Sequence, residues 1–403
     1  MNSLVKTTKS VYGHQISQQM QNDYYSEVVA YLQKHGYQLR LGSLSVRLAR
    51  KFGFCYGVER AVKLAYETRT RFPHRRIFLI GEIIHNPFVN QQLKDMGVKI
   101  LPGLHQSRIE YTKLHPEDVV IIPAFGIEAQ TLAKLQERGC ILVDTTCGSV
   151  LNVWKRVEQY ACDGFTAIIH GKYFHEETRA TSSQVLKYPD GHYLVILNKA
   201  EAKVVYDYIV RDGDRAKFMK RFKNVASPGF DPDSHLQRIG LANQTTMLKS
   251  ESLEIAQMLR DAMIRRYGEE HLDEHFRNFG TICSATQDRQ DAVKELVQKE
   301  QVDLMLIIGG YNSSNTSHLV EIAAQYVPTY HIEEASALLS SQKIRHQPVG
   351  EKREVITANW LPEGNVVVGL SAGASTPNSK IGEVVVRLFQ LRGQKLDMAL
   401  VSE

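Results

Sequence analysis

Short apolar runs rich in β-branched residues recur along the chain from Arg47 onward, and helical periods lie between most of them. The runs are IFLIG, VVIIPA, CILVD, TAIIH, YLVIL, RIGLAN, DLMLIIGG and NVVVGLSAG. The helical segments include AQTLAKLQERG and SLEIAQMLRDAMIRRYG. Continuous apolar strands separated by helices are typical of parallel sheets with helical crossovers. The pattern therefore predicts an α/β fold.

Three cysteines stand in the same local pattern, each between an apolar run and the start of a helix-like run. They are Cys55 in KFGFCYGVERAV, Cys147 in VDTTCGSVLNVW and Cys283 in GTICSATQDRQDAV. At the N-terminus of a helix, the free N–H groups and the helix dipole favour the thiolate over the thiol. Three such corners predict three similar α/β lobes, arranged as a trefoil around one central site.

The boundaries of these lobes follow from the corners and from changes in the apolar pattern. The predicted segments are an N-terminal extension (1–43), a first lobe (44–146), a second lobe (147–280) with a charged excursion (207–238), a third lobe (281–376), and a C-terminal helix and tail (377–403). The extension has the pattern of one amphipathic helix. The charged excursion predicts an exposed loop, and the stretch SSQKIRHQPVGEKREVITANWLPEG predicts a second loop.

The intervals between the three cysteines are far longer than those of zinc knuckles or ferredoxin motifs, so each lobe supplies one thiolate. Iron-sulfur clusters usually have four thiolate ligands, and a set of three leaves one iron open to act as a Lewis acid. The opposing interpretation is that each cysteine is a small buried hydrophobe. The shared corner favours the metal site. Cys140 and Cys162 fall outside the corners, and we interpret both as buried structural cysteines.

Polar residues follow the apolar runs, at the strand ends where open α/β sheets bind their ligands. Gly-Gly leads into the Ser/Asn-rich helix start NSSNTSHL, and SAGASTP offers a second such start. Their N–H groups and hydroxyls suit an anion, although plain helix capping uses the same residue types. Together with His85 and His175, which can donate hydrogen bonds or relay protons, they predict a phosphate-type pocket. Glu177 is the candidate proton source, because burial there would raise its pKa, and its neighbour Glu176 remains an alternative.

Composition narrows the class of protein. The 403 residues are 43% hydrophobic and 23% charged, as in a globular protein, and no apolar run approaches the ~20 residues of a membrane span. The first residues lack an apolar signal core, and five cysteines are too few for a disulfide framework, so we expect a cytoplasmic protein. The net charge of +5 is spread out, which argues against nucleic acid and fits a small anionic substrate or an acidic protein partner.

Eight motifs, in order, resemble the LytB family of 4-hydroxy-3-methylbut-2-enyl diphosphate reductases over roughly residues 47–390. They are GFCYGVERA, GEIIHN, DTTCGSV, HEETRATSS, NQTTM, CSATQDRQ, NSSNTSHL and GASTP. The resemblance implies three α/β lobes around one 4Fe-4S cluster, which becomes 3Fe-4S under oxidative damage. It also implies reductive dehydroxylation of 4-hydroxy-3-methylbut-2-enyl diphosphate to isopentenyl and dimethylallyl diphosphate, the last step of the non-mevalonate isoprenoid pathway.

Position by position, the resemblance assigns a role to each matching residue. The implied cluster ligands are Cys55, Cys147 and Cys283. The implied catalytic residues are Glu177 as proton relay, Thr245 near the substrate hydroxyl, and His175. The residues implied to bind the substrate are His85, His175, Thr245, Ser313, Ser314, Asn315 and Ser375.

One position departs from the pattern of many bacterial members. Where they carry a histidine in a Ser-x-His-Gly stretch, this chain has Phe125 in PAFGIEA, so one diphosphate donor is missing. The forms PAFG and HGKYFHEET resemble the plastid and cyanobacterial branch, which implies reduced ferredoxin, an acidic protein, as electron donor. The Lys and Arg side chains from Arg211 to Lys223 then form its docking surface. A plastid stroma is less favoured, since the N-terminus lacks a clear transit peptide, and we expect a monomer or homodimer without membrane attachment.

Two other functions compete with the reductase. An iron-sulfur hydro-lyase acting on a small anionic substrate would also use an open iron, but it needs no net electrons, so dependence on a reductant separates the two. A non-enzymatic iron-sulfur sensor would need an output surface, and the sequence offers no nucleic-acid module.

Overall fold

Strands alternate with helices along most of the chain, as the apolar pattern predicts. The computed structural model describes residues 13–102, 113–211 and 213–396. All eight apolar runs form strands, so the α/β prediction is confirmed. The strands are β1 (Gln38–Leu41), β2 (Leu44–Leu48), β3 (Ile77–Ile80), β4 (Val98–Leu101), β5 (Val119–Ile122), β6 (Ile141–Asp144), β7 (Thr166–His170), β8 (Tyr193–Ile196), β9 (Ile239–Asn243), β10 (Phe276–Asn278), β11 (Leu304–Ile308), β12 (Thr329–Ile332), β13 (Lys343–His346), β14 (Val355–Ala358) and β15 (Val366–Ala372).

Helices connect most of these strands. They are α1 (Gly13–Tyr24), α2 (Glu27–Lys34), α3 (Tyr56–Arg71), α4 (Pro87–Asp95), α5 (Ala129–Glu137), α6 (Gly148–Cys162), α7 (Glu176–Val185), α8 (Lys199–Arg211), α9 (Arg215–Phe222), α10 (Pro232–His235), α11 (Lys249–Tyr267), α12 (Leu272–His275), α13 (Ser284–Lys299), α14 (Ser314–Ala323) and α15 (Asn378–Leu391). Within the described ranges, none of the helices is long and apolar enough to cross a membrane.

The described residues divide into two compact units. The first comprises Phe72–Ile83 and Gly97–Cys283, and the second comprises 13–71, Ile84–Met96 and 284–396. Residues 1–12 of the predicted extension and 397–403 of the predicted tail lie outside the described ranges. The predicted division of the chain into lobes stays a prediction.

Two parallel four-stranded sheets form the first unit. One has the strand order β4-β3-β5-β6 and the other the order β10-β9-β7-β8. Every residue of β5 and β7 is buried, as expected where helices cover both faces of a parallel sheet. On α6, the Tyr160 hydroxyl donates to Leu241 O in β9 at 2.9 Å. Gly240 leaves room for this ring, because a Cβ there would lie 2.6 Å from it.

A five-stranded sheet organises the second unit, with the order β1-β2-β15-β11-β12. β1 is antiparallel to β2, and the other neighbours are parallel. α2 and α15 pack into one apolar core with this sheet, to which Val29 and Leu32 of α2 and Val385 and Leu388 of α15 contribute. The strands β13 and β14 form a separate antiparallel hairpin.

The prediction of a single helix in the N-terminal extension is wrong. α1 ends at Tyr24 and α2 begins at Glu27, because Ser26 adopts an extended conformation and its Oγ accepts a hydrogen bond from Val29 N. The extension is built into the second unit: Ser379 Oγ donates to Asp23 O at 3.2 Å, and β1 and β2 join the sheet of β15.

Both segments predicted as loops contain regular structure. In the charged excursion, α9 places Phe218 and Phe222 in the core of the first unit, and the Asp214 carboxylate caps its N-terminus. The exposed-loop prediction is wrong for these residues, while Lys220 and Lys223 on the same segment are exposed as expected. The second predicted loop is the β13–β14 hairpin, whose alternation of polar and apolar residues is short and irregular in the sequence.

Candidate functional site

Each of the three corner cysteines directly precedes a helix, as predicted. Cys55 precedes α3, Cys147 is the N-cap of α6, and Cys283 precedes α13. None of the three forms a disulfide, and all three are half-buried. The first residues of a helix offer free N–H groups and the positive end of its dipole, so each cysteine lies beside groups that attract an anion.

The backbone of each cysteine is tied to a segment that follows a parallel strand. Cys55 N donates to Ala374 O at 3.2 Å, just after β15. Cys147 N donates to Ala124 O at 2.9 Å, just after β5, and Cys283 N donates to Thr245 O at 3.2 Å, just after β9. The same backbone hydrogen bond thus recurs at all three corners, and for Cys55 and Cys283 it joins the cysteine to a strand end that also carries a candidate ligand-binding residue.

The Glu177 carboxylate is buried and accepts two hydrogen bonds from Thr245. It lies in the first turn of α7, with an exposed fraction of 3%. Thr245 N donates to Glu177 Oε1 at 2.6 Å, and Thr245 Oγ1 donates to Glu177 Oε2 at 3.0 Å. The structure therefore brings together two residues that the sequence only suggested separately.

His175 is buried beside this pair and caps the same helix. Its Nδ1 accepts a hydrogen bond from Glu177 N at 3.1 Å. In the neutral ring the proton must then lie on Nε2, which makes Nε2 the hydrogen-bond donor. The Phe125 ring meets the His175 ring edge to face, with the two centroids 6.1 Å apart. Phe125 is thus an apolar neighbour of His175 and adds no donor of its own.

A second group of polar side chains lies in the second unit, around the start of α14. Ser313 is the N-cap of this helix and accepts from Thr316 N at 3.3 Å. Asn315 Oδ1 accepts from Ala374 N at 2.9 Å. Among the described residues, no acceptor lies within hydrogen-bond reach of the buried Asn315 Nδ2. Ser375 Oγ donates to His85 O at 3.1 Å.

A buried amide donor without an acceptor is costly unless a ligand supplies one. Asn315 Nδ2 lies at a helix N-terminus, where backbone N–H groups and the dipole already favour an anion. Ser314 is buried in the same first turn. The group therefore has the chemistry of a buried site for a phosphate-type anion, built from neutral donors.

Two supporting residues were not predicted as such. Arg289 on α13 is buried and donates to Phe52 O and Gly53 O, so it holds the turn that leads into Cys55. Gln244 Oε1 accepts from Lys172 N at 3.0 Å and from Thr178 Oγ1 at 3.2 Å, so it joins the segment before α7 to that of Thr245. In the sequence, the available signal for Arg289 was its position in the helix that begins directly after Cys283.

The sequence predicts that Cys140 and Cys162 are both buried, and the structure confirms this for Cys140 alone. Cys140 is buried, as predicted; burial raises the pKa of its thiol, and its Sγ donates to His115 O. Cys162 is exposed at the end of α6, so the prediction of a buried structural cysteine is wrong there. An exposed position at a helix end gives it no core to fill.

The α/β fold, the three cysteines at helix starts and the polar group around α14 are together typical of a protein that binds a metal cluster and a phosphate-type anion. The sequence model of the LytB protein family matches residues 46–389, and this chain belongs to that family. A protein of Thermosynechococcus vestitus named 4-hydroxy-3-methylbut-2-enyl diphosphate reductase is 49% identical, with 94% of this chain and 93% of the relative covered. A Microcystis aeruginosa protein of the same name is 47% identical, with 94% of each covered.

Solved structures agree with this assignment. A structure of (E)-4-hydroxy-3-methyl-but-2-enyl diphosphate reductase, described as the terminal enzyme of the non-mevalonate pathway, matches with a TM-score of 0.52 and 28% identity, covering 86% of this chain and 99% of that chain. The reductase of Plasmodium falciparum matches with a TM-score of 0.63, 87% of this chain and 89% of that one being covered. At 20% identity the second match concerns the fold alone.

Proposed function

We propose that this chain reduces 4-hydroxy-3-methylbut-2-enyl diphosphate to isopentenyl and dimethylallyl diphosphate, the last step of the non-mevalonate pathway. The observation that carries the proposal is the buried Glu177 carboxylate, held by both donors of Thr245. The chain is similar to the named relatives over nearly its whole length. Family membership does not favour the hydro-lyase alternative.

The three corner cysteines fit an iron-sulfur cluster. Their thiols are reduced, half-buried and placed at helix N-termini, and thiolates are the ligands that hold iron in such clusters. Cys55, Cys147 and Cys283 would hold one 4Fe-4S cluster, or 3Fe-4S after oxidative loss of one iron. When bound, the cluster supplies single electrons and a Lewis-acidic iron without a cysteine ligand.

The reaction breaks one C–O bond and forms one C–H bond, and it consumes two electrons and two protons. One proton leaves with the hydroxyl oxygen as water, and the other is added to one end of the allylic unit. Glu177 delivers the first proton, because it is the buried carboxyl group beside the Thr245 hydroxyl. Thr245 keeps the carboxylate oriented, and its hydroxyl lies where it can meet the substrate hydroxyl.

The remaining polar residues bind the diphosphate. Ser313, Ser314, Asn315 and Ser375 supply hydroxyl and amide donors, and His85 and His175 supply imidazole donors. The Asn315 Nδ2 atom, which is buried without a protein acceptor, supports this role most directly. Neutral donors bind the diphosphate without placing fixed positive charge beside the proton donor.

Replacing single cysteines tests the cluster and the activity together. We expect Cys55→Ser, Cys147→Ser and Cys283→Ser each to lose most of the iron-sulfur absorbance and at least about 10²-fold in turnover, because a three-ligand cluster has no spare thiolate. Cys162→Ser, at an exposed free thiol, is the matched control and should retain both. Full iron content in any one of the three variants would remove that residue from the ligand set.

The electron donor that we propose is reduced ferredoxin, which docks on the basic face of α8 and α9. A largely apolar depression there is lined by Val204 and Phe218 and by more basic than acidic side chains: Arg211, Lys217, Lys220 and Arg221 against Asp207 and Asp214. Arg221 also pairs with Glu201 at 3.6 Å. An exposed basic surface with an apolar centre suits a small acidic protein.

Charge reversal tests this docking surface. The triple variant Lys220→Glu, Arg221→Glu, Lys223→Glu should lose most of its ferredoxin-driven turnover and keep its turnover with a small chemical reductant. Lys34→Glu with Arg40→Glu, at exposed positions of the second unit, is the control and should change neither rate. Equal loss with both donors, or no loss with ferredoxin, would contradict the assignment.

The five free thiols also support a reducing compartment, which we take to be the cytoplasm. Monomer or homodimer stays a prediction.

A further inference from the structure

The segment 309–313 joins β11 to α14 and leads directly into the diphosphate-binding helix start. We call it the diphosphate loop. Tyr311, in its middle, is held at two points by carboxylates from elsewhere in the second unit. Tyr311 N donates to Glu333 Oε1 at 3.1 Å, and the Tyr311 hydroxyl donates to Glu354 Oε1 at 2.9 Å.

Glu354 belongs to the β13–β14 hairpin, which is itself anchored to the main sheet. It immediately precedes β14, and Arg345 of β13 lies 3.5 Å from its carboxylate. Gln347 N donates to His331 O at 3.0 Å, which joins the hairpin to β12. The Tyr311 ring packs edge to face on His331, with the centroids 4.8 Å apart. The hairpin therefore reaches the diphosphate loop through Tyr311.

The residues on either side of Tyr311 contact His85. Asn312 Nδ2 lies 3.4 Å from His85 Nδ1. A Cβ on Gly310 would lie 2.7 Å from His85 O, so the backbone approaches closely there. A displacement of Tyr311 would therefore move both contacts to His85 and shift the start of α14.

We propose that Tyr311 and Glu354 are positioning residues for the diphosphate. Their hydrogen bond holds the diphosphate loop in its binding conformation, and neither side chain needs to touch the substrate. The inference rests on the proposed function, since it assumes that the start of α14 binds the diphosphate. Holding a loop in the bound conformation lowers the ordering cost of binding, so the effect should appear in affinity.

The Tyr311 hydroxyl keeps its proton, and so remains a hydrogen-bond donor, over the working pH range. Burial and the Glu354 carboxylate both raise the pKa of Tyr311, so its proton stays on the oxygen. The hydrogen bond is charge-assisted, which makes it stronger than a bond between neutral groups.

The test compares binding of inorganic diphosphate to cluster-containing protein, measured by calorimetry, with KM and kcat for the substrate. Tyr311→Phe removes only the hydroxyl, and we expect its affinity to fall about 3- to 10-fold, the typical value of one hydrogen bond. KM should rise by the same factor while kcat changes by less than about twofold. Glu354→Ala should behave in the same way, and the double variant should lose no more than either single variant.

Two matched variants separate positioning from general damage. Glu354→Gln keeps an oxygen acceptor for the Tyr311 hydroxyl and should recover most of the affinity. Tyr330→Phe removes another tyrosine hydroxyl, from β12. The Tyr330 ring packs against His346 of the hairpin, and this variant should bind diphosphate like the parent protein. If the parent binds diphosphate and Tyr311→Phe and Glu354→Ala bind it equally well, the inference is overturned while the proposed function stands. If the parent protein binds no diphosphate, both are overturned.

Discussion

At the scale of single residues, Thr245 fixes the orientation of the Glu177 carboxylate. Its N–H and its hydroxyl donate to the two different oxygens of this buried group. In the proposed reaction, these two contacts set the direction from which Glu177 delivers its proton.

Replacing the carboxyl group of Glu177 tests this role. Glu177→Gln keeps the shape of the side chain but cannot deliver a proton, so kcat should fall on the order of 10²-fold or more. The adjacent Glu176→Gln is the control and should retain near-normal turnover in the same anaerobic assay. If the Glu177→Gln enzyme turned over almost normally, the proton would have to come from Glu176 or a histidine.

His170 has a structural role rather than a ligand-binding one. It is fully buried at the end of β7, and its Nδ1 lies 3.0 Å from Ser252 Oγ on α11. Burial lowers the pKa of His170 from 6.5 to about 4, because the charged ring cannot be solvated there. The folded protein therefore keeps this ring neutral where the unfolded chain would protonate it.

This difference predicts a loss of stability in acid. Between pH 6.5 and 4 the unfolded state binds a proton that the folded state does not, so the free energy of unfolding falls as the pH is lowered through that window. Stability is unaffected above pH 6.5, and the loss reaches about 3 kcal/mol by pH 4, where the folded ring also titrates. Denaturant unfolding of His170→Gln, which can still bond to Ser252, should show a shallower pH dependence than the parent. Parallel curves would contradict the assignment.

Sequence patterns predicted the residues whose chemistry is local and missed those whose role depends on distant contacts. A helix begins directly after each of Cys55, Cys147 and Cys283, so the residues next to each cysteine were enough to predict its position at a helix start. Tyr311 has no such signal, because its hydroxyl partner is Glu354, 43 residues further along the chain. Cys162 was misplaced because its side of α6 is set by packing that the helical period alone does not fix.

At the scale of elements, the sequence pattern likewise failed to predict features that depend on packing or on the conformation of one residue. The break between α1 and α2 lies inside a continuous amphipathic run, and only the conformation of Ser26 reveals it. The sequence of α9 is dominated by four basic side chains, which favoured the prediction of an exposed loop. Phe218 and Phe222 lie one helical turn apart in it and pack in the core. The eight strands could be predicted because buried parallel strands are apolar on both faces.

The packing of α2 on α15 depends on one glycine. Gly382 is buried in α15, and a Cβ there would overlap Ser26 Oγ and lie 2.9 Å from Ser26 Cβ. The same Oγ caps α2 by accepting from Val29 N. The glycine therefore allows the N-terminal extension to approach closely with its cap intact.

A pair of substitutions tests this contact. Gly382→Ala should lower the free energy of unfolding by about 1–2 kcal/mol, because overpacking outweighs the better helix propensity of alanine. In a Ser26→Gly background, which removes the obstructing atoms and costs only a few tenths of a kcal/mol at a cap, Gly382→Ala should be neutral or slightly stabilising. Equal losses in both backgrounds, measured by denaturant unfolding, would show that the two residues do not interact.

At the scale of the whole molecule, the residues of the proposed reaction are divided between the two units. Glu177, Thr245, Cys147 and Cys283 belong to the first, while Cys55 and the diphosphate-binding helix start belong to the second. The second unit is itself assembled from distant parts of the chain, since β2 pairs with β15.

The most direct test of the account is an electron count during anaerobic turnover. Freshly reconstituted protein is given 4-hydroxy-3-methylbut-2-enyl diphosphate and a reduced viologen, and the viologen oxidised is compared with the five-carbon diphosphates formed. The proposed reaction requires two electrons per product, forms both isopentenyl and dimethylallyl diphosphate, and yields no product without the reductant. Conversion of the substrate without viologen oxidation, or no turnover by protein whose cluster is intact, would contradict it.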